Sequence, residues 1–305
     1  MPNLATVTLP ANLIGIPKDA FANSTKLATV KFGTADASTP SARAVTGETN
    51  TITLPKGITR IDANAFAGTK ASTVDLSQVT GLTTIGENVF KDMASLAEVK
   101  LPASITQIGN NAFQGDAALK KLSQASPSAQ ARADEATTPT EGTATFGKSL
   151  TAIRDNAFQG TGFTTVDLSQ AVGTTTSGGS GTQTPARTLS VGSGAFTNMA
   201  ELTTVKLPKD SNINPTYFGN PTTEGTTPKL NSIMYGDGTA TATATATIGD
   251  ATISSPNFSK IQNQTIQINS NTSSTINFTG GVFNGNSTMT KLMLNVTQRN
   301  GNTSL

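Results

Sequence analysis

Apolar side chains recur along this chain in a fixed phase. A small residue followed by phenylalanine appears at Ala20-Phe21, Ala65-Phe66, Val89-Phe90, Ala112-Phe113, Ala157-Phe158 and Ala195-Phe196, and weaker copies end at Phe218, Phe258 and Phe283. Successive phenylalanines stand either 22 to 25 or 38 to 45 residues apart, the longer gaps being one period plus an insertion or two periods with an anchor lost. A period in this range marks a stacked repeat architecture.

The cleanest unit runs from Leu96 to Phe113, with apolar residues at Leu96, Val99, Leu101, Ile105, Ile108 and Phe113. The same frame returns at Leu202, Val205 and Leu207, and at Ile52, Leu54, Ile58, Ile61 and Phe66. Alternation at Val99-Lys100-Leu101 predicts a short strand. Pro102 stops it, because proline donates no ladder hydrogen bond. The stretch Asn110-Asn111-Ala112-Phe113-Gln114-Gly115 predicts a single helical turn closed by glycine. Burying six such side chains contributes roughly 12 kcal/mol. Ordering the backbone of one period costs more, at roughly 1–2 kcal/mol per residue, so coils must stack in order to fold.

The pattern Leu-x-x-Val-x-Leu-Pro-x-x-Ile-x-x-Ile-Gly-x-x-Ala-Phe-x-Gly, with Pro102, Gly109, Ala112 and Phe113 in place, resembles the BspA-type leucine-rich repeats of bacterial cell-surface proteins. The resemblance covers residues 4–124 and 146–207 well and 208–305 loosely. It implies a right-handed repeat solenoid of β-rich coils with short helical turns and a parallel concave sheet. It also implies export to the cell surface, and binding or adhesion rather than catalysis. The family often carries Cys about three residues after the phenylalanine; here Ser24, Thr69, Ala94, Asp116, Thr161 and Met199 take that place.

Two polar ladders accompany the repeat. Asp19, Asn64, Asn88, Asn111 and Asn156 stand two residues before an anchor and would stack at about 4.8 Å. Their carboxamides, both donor and acceptor, are expected to satisfy backbone groups between coils. On the concave face the outward residue of each strand is Lys31, Asp75, Lys100, Ser123, Asp167 or Lys206, and Thr29, Thr73, Thr165 and Thr204 precede it by two. The alternating charges predict cross-strand pairs worth roughly 0.2–1 kcal/mol each. The same strip is the candidate partner-binding face: Lys31, Asp75, Lys100, Asp167, Lys206, Thr73, Thr165 and Thr204, suited to hydrogen-bond an extracellular protein or a glycan. It offers no aromatic platform for sugar stacking.

Low-complexity segments at about 33–50, 123–145, 170–186, 220–228 and 236–247 interrupt the frame. Their composition predicts flexible loops that leave the solenoid along one edge, and that edge is a second possible contact surface. Two of them, Phe32 to Leu54 and Gln124 to Phe146, equal one period, which leaves open degenerate coils that lost their phenylalanine. If they are loops, removing 126–143 leaves folding intact. Residues 1–235 are therefore expected to form the repeat solenoid. Residues 236–305, where Thr and Ala alternate and Asn-rich repeats follow, are expected to form degenerate capping coils or a small separate β domain.

Composition narrows the function. Cys, His and Trp are absent, and charged residues make up only 13% with a net charge of +2. That excludes thiol and histidine chemistry and gives no nucleic-acid surface. No cofactor is expected. No segment approaches the length of a membrane helix, and no export signal precedes Leu4. The open first strand, Leu4 to Pro10, lacks the cap that terminal repeats need, so the chain is expected to continue a longer exported protein, at the bacterial surface or outside the cell. The carboxylates Asp75 and Asp167 are several coils apart, which disfavours a glycosidase. The alternative to an adhesive module is a surface component that binds or processes polysaccharide.

Overall fold

Most strands of the long sheet centre on a β-branched or leucine side chain flanked by Thr, Ser, Lys or Asp, residues that suit a pleated, half-buried surface. The computed structural model describes residues 1, 3–33, 50–125, 140–171, 189–208, 213, 217–218, 229–235, 243–248, 252–253, 260–270, 277–278 and 283–296. Among them the strands are β1 (Thr6–Leu9), β2 (Gly15–Ile16), β3 (Thr29–Phe32), β4 (Thr51–Thr53), β5 (Arg60–Ile61), β6 (Thr73–Asp75), β7 (Thr84–Ile85), β8 (Glu98–Leu101), β9 (Gln107–Ile108), β10 (Lys121–Gln124), β11 (Thr143–Thr145), β12 (Ala152–Ile153), β13 (Thr165–Asp167), β14 (Ser190–Val191), β15 (Thr204–Leu207), β16 (Ser232–Tyr235), β17 (Thr243–Ile248), β18 (Thr252–Ile253), β19 (Thr265–Ser270), β20 (Asn277–Phe278) and β21 (Lys291–Val296).

Ten of them make one parallel sheet in the order β1-β3-β4-β6-β8-β10-β11-β13-β15-β16. Its inner row is Val7, Val30, Ile52, Val74, Val99, Leu122, Ala144, Val166, Val205 and Ile233, held in register strand to strand. A second, shorter parallel sheet, β14-β12-β9-β7, and the pair β2-β5 carry the chain along another side of each coil. The molecule is a β-rich repeat solenoid, and its core is the continuous apolar column between these sheets and the phenylalanine turns.

Those turns are wired from coil to coil through the backbone. The N–H groups of Asn111, Phe113 and Gly115 donate to the carbonyls of Asp155, Ala157 and Gln159 in the next coil, at 2.9, 2.8 and 2.9 Å. Ala112 and Gln114 donate within the turn, to Gly109 and Asn111. Pointing alternate N–H groups outward requires left-handed backbone on both sides of the ring. Asp19, Asn64, Asn88, Asn111 and Asn156 accordingly have φ of 54–59°, and Asn23, Gly68, Asp92, Gly115, Gly160 and Asn198 follow the ring with positive φ. Asn, Asp and Gly are the residues that tolerate this region. The ladder expected from side-chain amides is therefore chiefly a backbone ladder. Asn64 Nδ2 does donate to Asp19 Oδ1 at 2.7 Å, but Asn88 Oδ1 is buried without a partner. The segment is a series of such turns rather than a helical one.

The rings of Phe21, Phe66, Phe90, Phe113, Phe158, Phe196 and Phe218 stack in a column with centroids 5.1–5.7 Å apart. Phe283 packs at the fringe of the core, and Phe258 lies outside the described residues. The filler after the third ring is Met93, which is fully buried, and not Ala94, which is exposed.

Sheet and column do not keep step. From the turn of Phe21 to that of Phe196 the long sheet advances seven strands, from β3 to β15, while the rings advance five. The two extra strands are β3 and β10: in the repeat unit a strand is followed by its ring, and after each of these another strand of the long sheet, β4 or β11, comes before the next stacked ring. The segment expected as a loop at 123–145 is thus shorter, because Ser123 and Gln124 close β10 and Thr143–Thr145 is β11. Gln124 spans the step where the second layer is missing, donating from Nε2 to Ile105 O at 2.7 Å and accepting from Gly147 N at 3.0 Å. Deleting 126–143 is now expected to lower the melting temperature: it removes Gly142, whose carbonyl accepts from Thr164 N and Thr165 N at 2.8 and 2.9 Å. An unchanged melt would show that β11 contributes nothing. The remaining residues of 33–50, 170–186 and 220–228 fall almost wholly outside the described ones.

Past Tyr235 the parallel stacking continues in β17-β19-β21 and β18-β20. Asn263 clasps Tyr235, accepting from its N–H at 2.9 Å and donating to its carbonyl at 3.1 Å.

Candidate binding face

The long sheet places the candidate residues in two rows on the side away from the core, although Thr51 and Ser123 within them are buried. One runs Thr8, Lys31, Thr53, Asp75, Lys100, Ser123, Thr145, Asp167, Lys206 and Met234. The other contains Thr29, Thr51, Thr73, Glu98, Lys121, Thr143, Thr165 and Thr204. Lys31, Asp75, Lys100, Asp167 and Lys206 therefore share one row, and Thr73, Thr165 and Thr204 share the neighbouring one. Lys31 is exposed and makes no ion pair with a described residue.

The charges pair across strands. Lys100 Nζ lies 3.3 Å from Asp75 Oδ2 and 3.4 Å from Glu98 Oε1, and Lys206 Nζ lies 3.4 Å from Asp167 Oδ2. Burial works against the Lys100 ammonium, but the charges of Asp75 and Glu98 outweigh it and hold its pKa above the usual value. Lys121 meets Glu141 at 2.9 Å, and this hydrogen bond raises the lysine in turn. The partly exposed pairs of Lys100 and Lys206 contribute only about 0–1 kcal/mol of stability each. Their effect is to hold side chains in place.

Each aspartate is also fixed from behind. Asp75 Oδ1 accepts from Ser77 N at 3.0 Å and from Ser77 Oγ at 2.6 Å, and Asp167 Oδ1 accepts from Ser169 N and Oγ at the same distances. Ser77, Ser169 and Glu98 did not enter the sequence expectation. The signal for the serines was present: Thr73-Val-Asp-Leu-Ser-Gln78 recurs as Thr165-Val-Asp-Leu-Ser-Gln170.

A depression of about 520 Å³ lies instead on the short sheet, lined by Thr84, Glu87, Gln107, Asn110, Arg154 and Asp155 among others. Its glycine floor follows from coil packing: a Cβ on Gly109 would meet the Gly86 carbonyl at 2.8–2.9 Å. Among the described residues no group of three or more Asp or Glu could hold a metal ion, and no helix is long and apolar enough to cross a membrane.

The sequence matches the BspA type leucine rich repeat region in six copies over residues 1–120 and 142–224, and the chain belongs to that family. No curated protein matches it. Among solved structures it is similar to the T. pallidum leucine rich repeat protein, at 20% identity and a TM-score of 0.40, over 66% of this chain and 65% of that one. It is also similar to the pneumococcal vaccine antigen PcpA, at 13% identity and 0.38, over 97% and 68%. A Bacteroides ovatus leucine-rich repeat protein gives 17% identity and 0.35, over 96% and 74%. The chain thus spans 65% of the treponemal protein's length.

Proposed function

We propose that this chain is a non-catalytic module of an exported bacterial surface protein, which binds an extracellular macromolecule through the solvent side of its long sheet. The observation that carries this reading is the pair of polar rows on ten strands in unbroken parallel register. A rigid sheet positions such side chains more finely than loops do. Membership of the BspA-type family supports surface location and binding. In this reading residues 236–305 are polar capping coils. Catalysis by the pair Asp75 and Asp167 is disfavoured by its spacing, and the closer carboxylates Asp75 and Glu98 are both engaged by Lys100 Nζ. Asp75 and Asp167 are four strands apart, about 19 Å at ~4.8 Å per strand, whereas paired glycosidase carboxylates stand about 5–9.5 Å apart.

The test is a binding screen of the chain against immobilised extracellular-matrix proteins and glycans, with released sugars and peptides assayed in parallel. Saturable binding without turnover is expected, weakened at least about tenfold in Lys31→Glu/Lys206→Glu, a loss of roughly 1.4 kcal/mol. Turnover, or binding that this double substitution leaves intact, would contradict the reading.

A further inference from the structure

The charged row contains the same site twice. In the first copy Asp75 is gripped by Ser77 and reaches Lys100 in the next strand; in the second, Asp167 is gripped by Ser169 and reaches Lys206 in the next strand. The aspartates also match in exposure, while Lys100 is 33% and Lys206 47% exposed and Lys100 alone also meets Glu98. The side chains of Asp75 and Asp167 are 22% and 20% exposed. The sequence around the acceptor strand repeats as well, Val99-Lys-Leu-Pro102 against Val205-Lys-Leu-Pro208. In sheet order the two aspartates are β6 and β13, with β8, β10 and β11 between them. The sites are therefore related by translation along the stacking axis, about 19 Å apart at ~4.8 Å per strand, with the aspartate leading in both.

The strand β11 sets this distance. Without it the copies would be three strands apart. Between Lys100 and Asp167 the row holds only Ser123, which is buried, and the half-buried Thr145, so no charge stands between the two sites.

We propose that these two sites are tandem subsites for one uncharged, linear polysaccharide laid along the stacking axis. This rests on the long sheet being the binding face. A ligand that fits two translated copies of one site must itself repeat by translation, as a linear polymer does. The four ammonium groups of Lys31, Lys100, Lys121 and Lys206 are balanced by the carboxylates of Asp75, Glu98, Glu141 and Asp167, so the strip offers no net charge to a polyanion or polycation. The side chains offer fixed acceptors and donors for sugar hydroxyls. The strip has no aromatic platform, so the polymer is held through hydrogen bonds to these side chains.

The test uses oligosaccharides from cellulose, linear mannan and amylose, each in fragments shorter and longer than about 19 Å, titrated against the whole chain. For at least one of these polymers, fragments that span both sites are expected to bind about 100-fold tighter than shorter ones, the gain typical of linked sites. Asp75→Asn or Asp167→Asn alone should reduce the long fragment to short-fragment affinity, and Lys206→Gln should do the same. Circular dichroism melts identify any variant that fails to fold. Binding lost in the variants but independent of fragment length would overturn the tandem arrangement while leaving the binding face standing. No binding to any of the three polymers, with an extracellular protein captured through these residues instead, would overturn the polysaccharide assignment. Binding unaffected by all three substitutions would overturn the face and the tandem site together.

Discussion

Replacing Phe113 with alanine is expected to destabilise the protein by about 3–5 kcal/mol, the range for deleting a core phenylalanine. Phe113 is fully buried, and its ring stacks on Phe90 at 5.4 Å and on Phe158 at 5.1 Å. Both stacked pairs are lost, at about 0.5–1.5 kcal/mol each beyond burial. The cavity cannot readily collapse, because the backbone on either side of the ring is bonded to the next coil through Phe113 N and Gly115 N. The comparison is Lys56→Ala, at an exposed position, which should stay within about 0.5 kcal/mol of the parent. Equal denaturation midpoints for the two variants would break the assignment of the column.

Replacing Asp116 with threonine is expected to do the opposite and stabilise the protein by about 1 kcal/mol at neutral pH, because burying a carboxyl with an unpaired oxygen costs more than leaving the Met93 N–H without its acceptor. Asp116 is fully buried; Oδ1 accepts from Met93 N at 2.7 Å, and Oδ2 has no partner. Burial pushes its carboxyl well above the ordinary carboxylate range. The Met93 hydrogen bond pulls the other way, and the nearby charge of Asp92 adds to the rise. A folded-state pKa above the unfolded one means that the carboxyl's contribution is fully present below about pH 4 and is lost as pH rises through the folded value. Equivalent positions in sibling coils show what fits: Thr69 Oγ1 donates to Phe66 O, and Thr161 Oγ1 to Phe158 O, both at 2.9 Å. The advantage of Asp116→Thr should therefore grow between pH 4 and pH 7 in urea titrations. A variant that is less stable at pH 7, or an advantage that does not change with pH, would contradict this.

Where the sequence repeats strictly, the fold was legible in it. The phenylalanine anchors, the Val-x-Leu strands and the outward charges each recur with one period, and the outward row of Lys31, Asp75, Lys100, Asp167 and Lys206 follows from alternation alone. What did not show was structure whose cause lies between coils. The asparagines before each ring looked like side-chain ladders, although their role is to supply left-handed backbone so that alternate N–H groups reach the neighbouring turn. Strand β11 was hidden because it puts only Ala144 into the core, whereas β4 was already in the frame through Ile52 and Leu54. The serines behind Asp75 and Asp167 act through local geometry, which spacing alone does not rank. Asp116 appeared as one filler among several; its cost comes from burial, which sequence does not measure.

The place of β11 between β10 and β13 fixes both the step between sheet and ring column and the distance between the two aspartates. The chain has no cysteine, so paired cysteine variants report strand neighbours cleanly. Thr145→Cys with Asp167→Cys joins adjacent strands, about 4.8 Å apart and within disulfide reach. Ser123→Cys with Asp167→Cys lies two strands apart, beyond the limit of about 7 Å between Cα atoms. Mild oxidation of each pair, read by mass spectrometry, should close the first disulfide within the monomer and leave the second open. Closure of the second pair, with the first unreactive, would contradict the register.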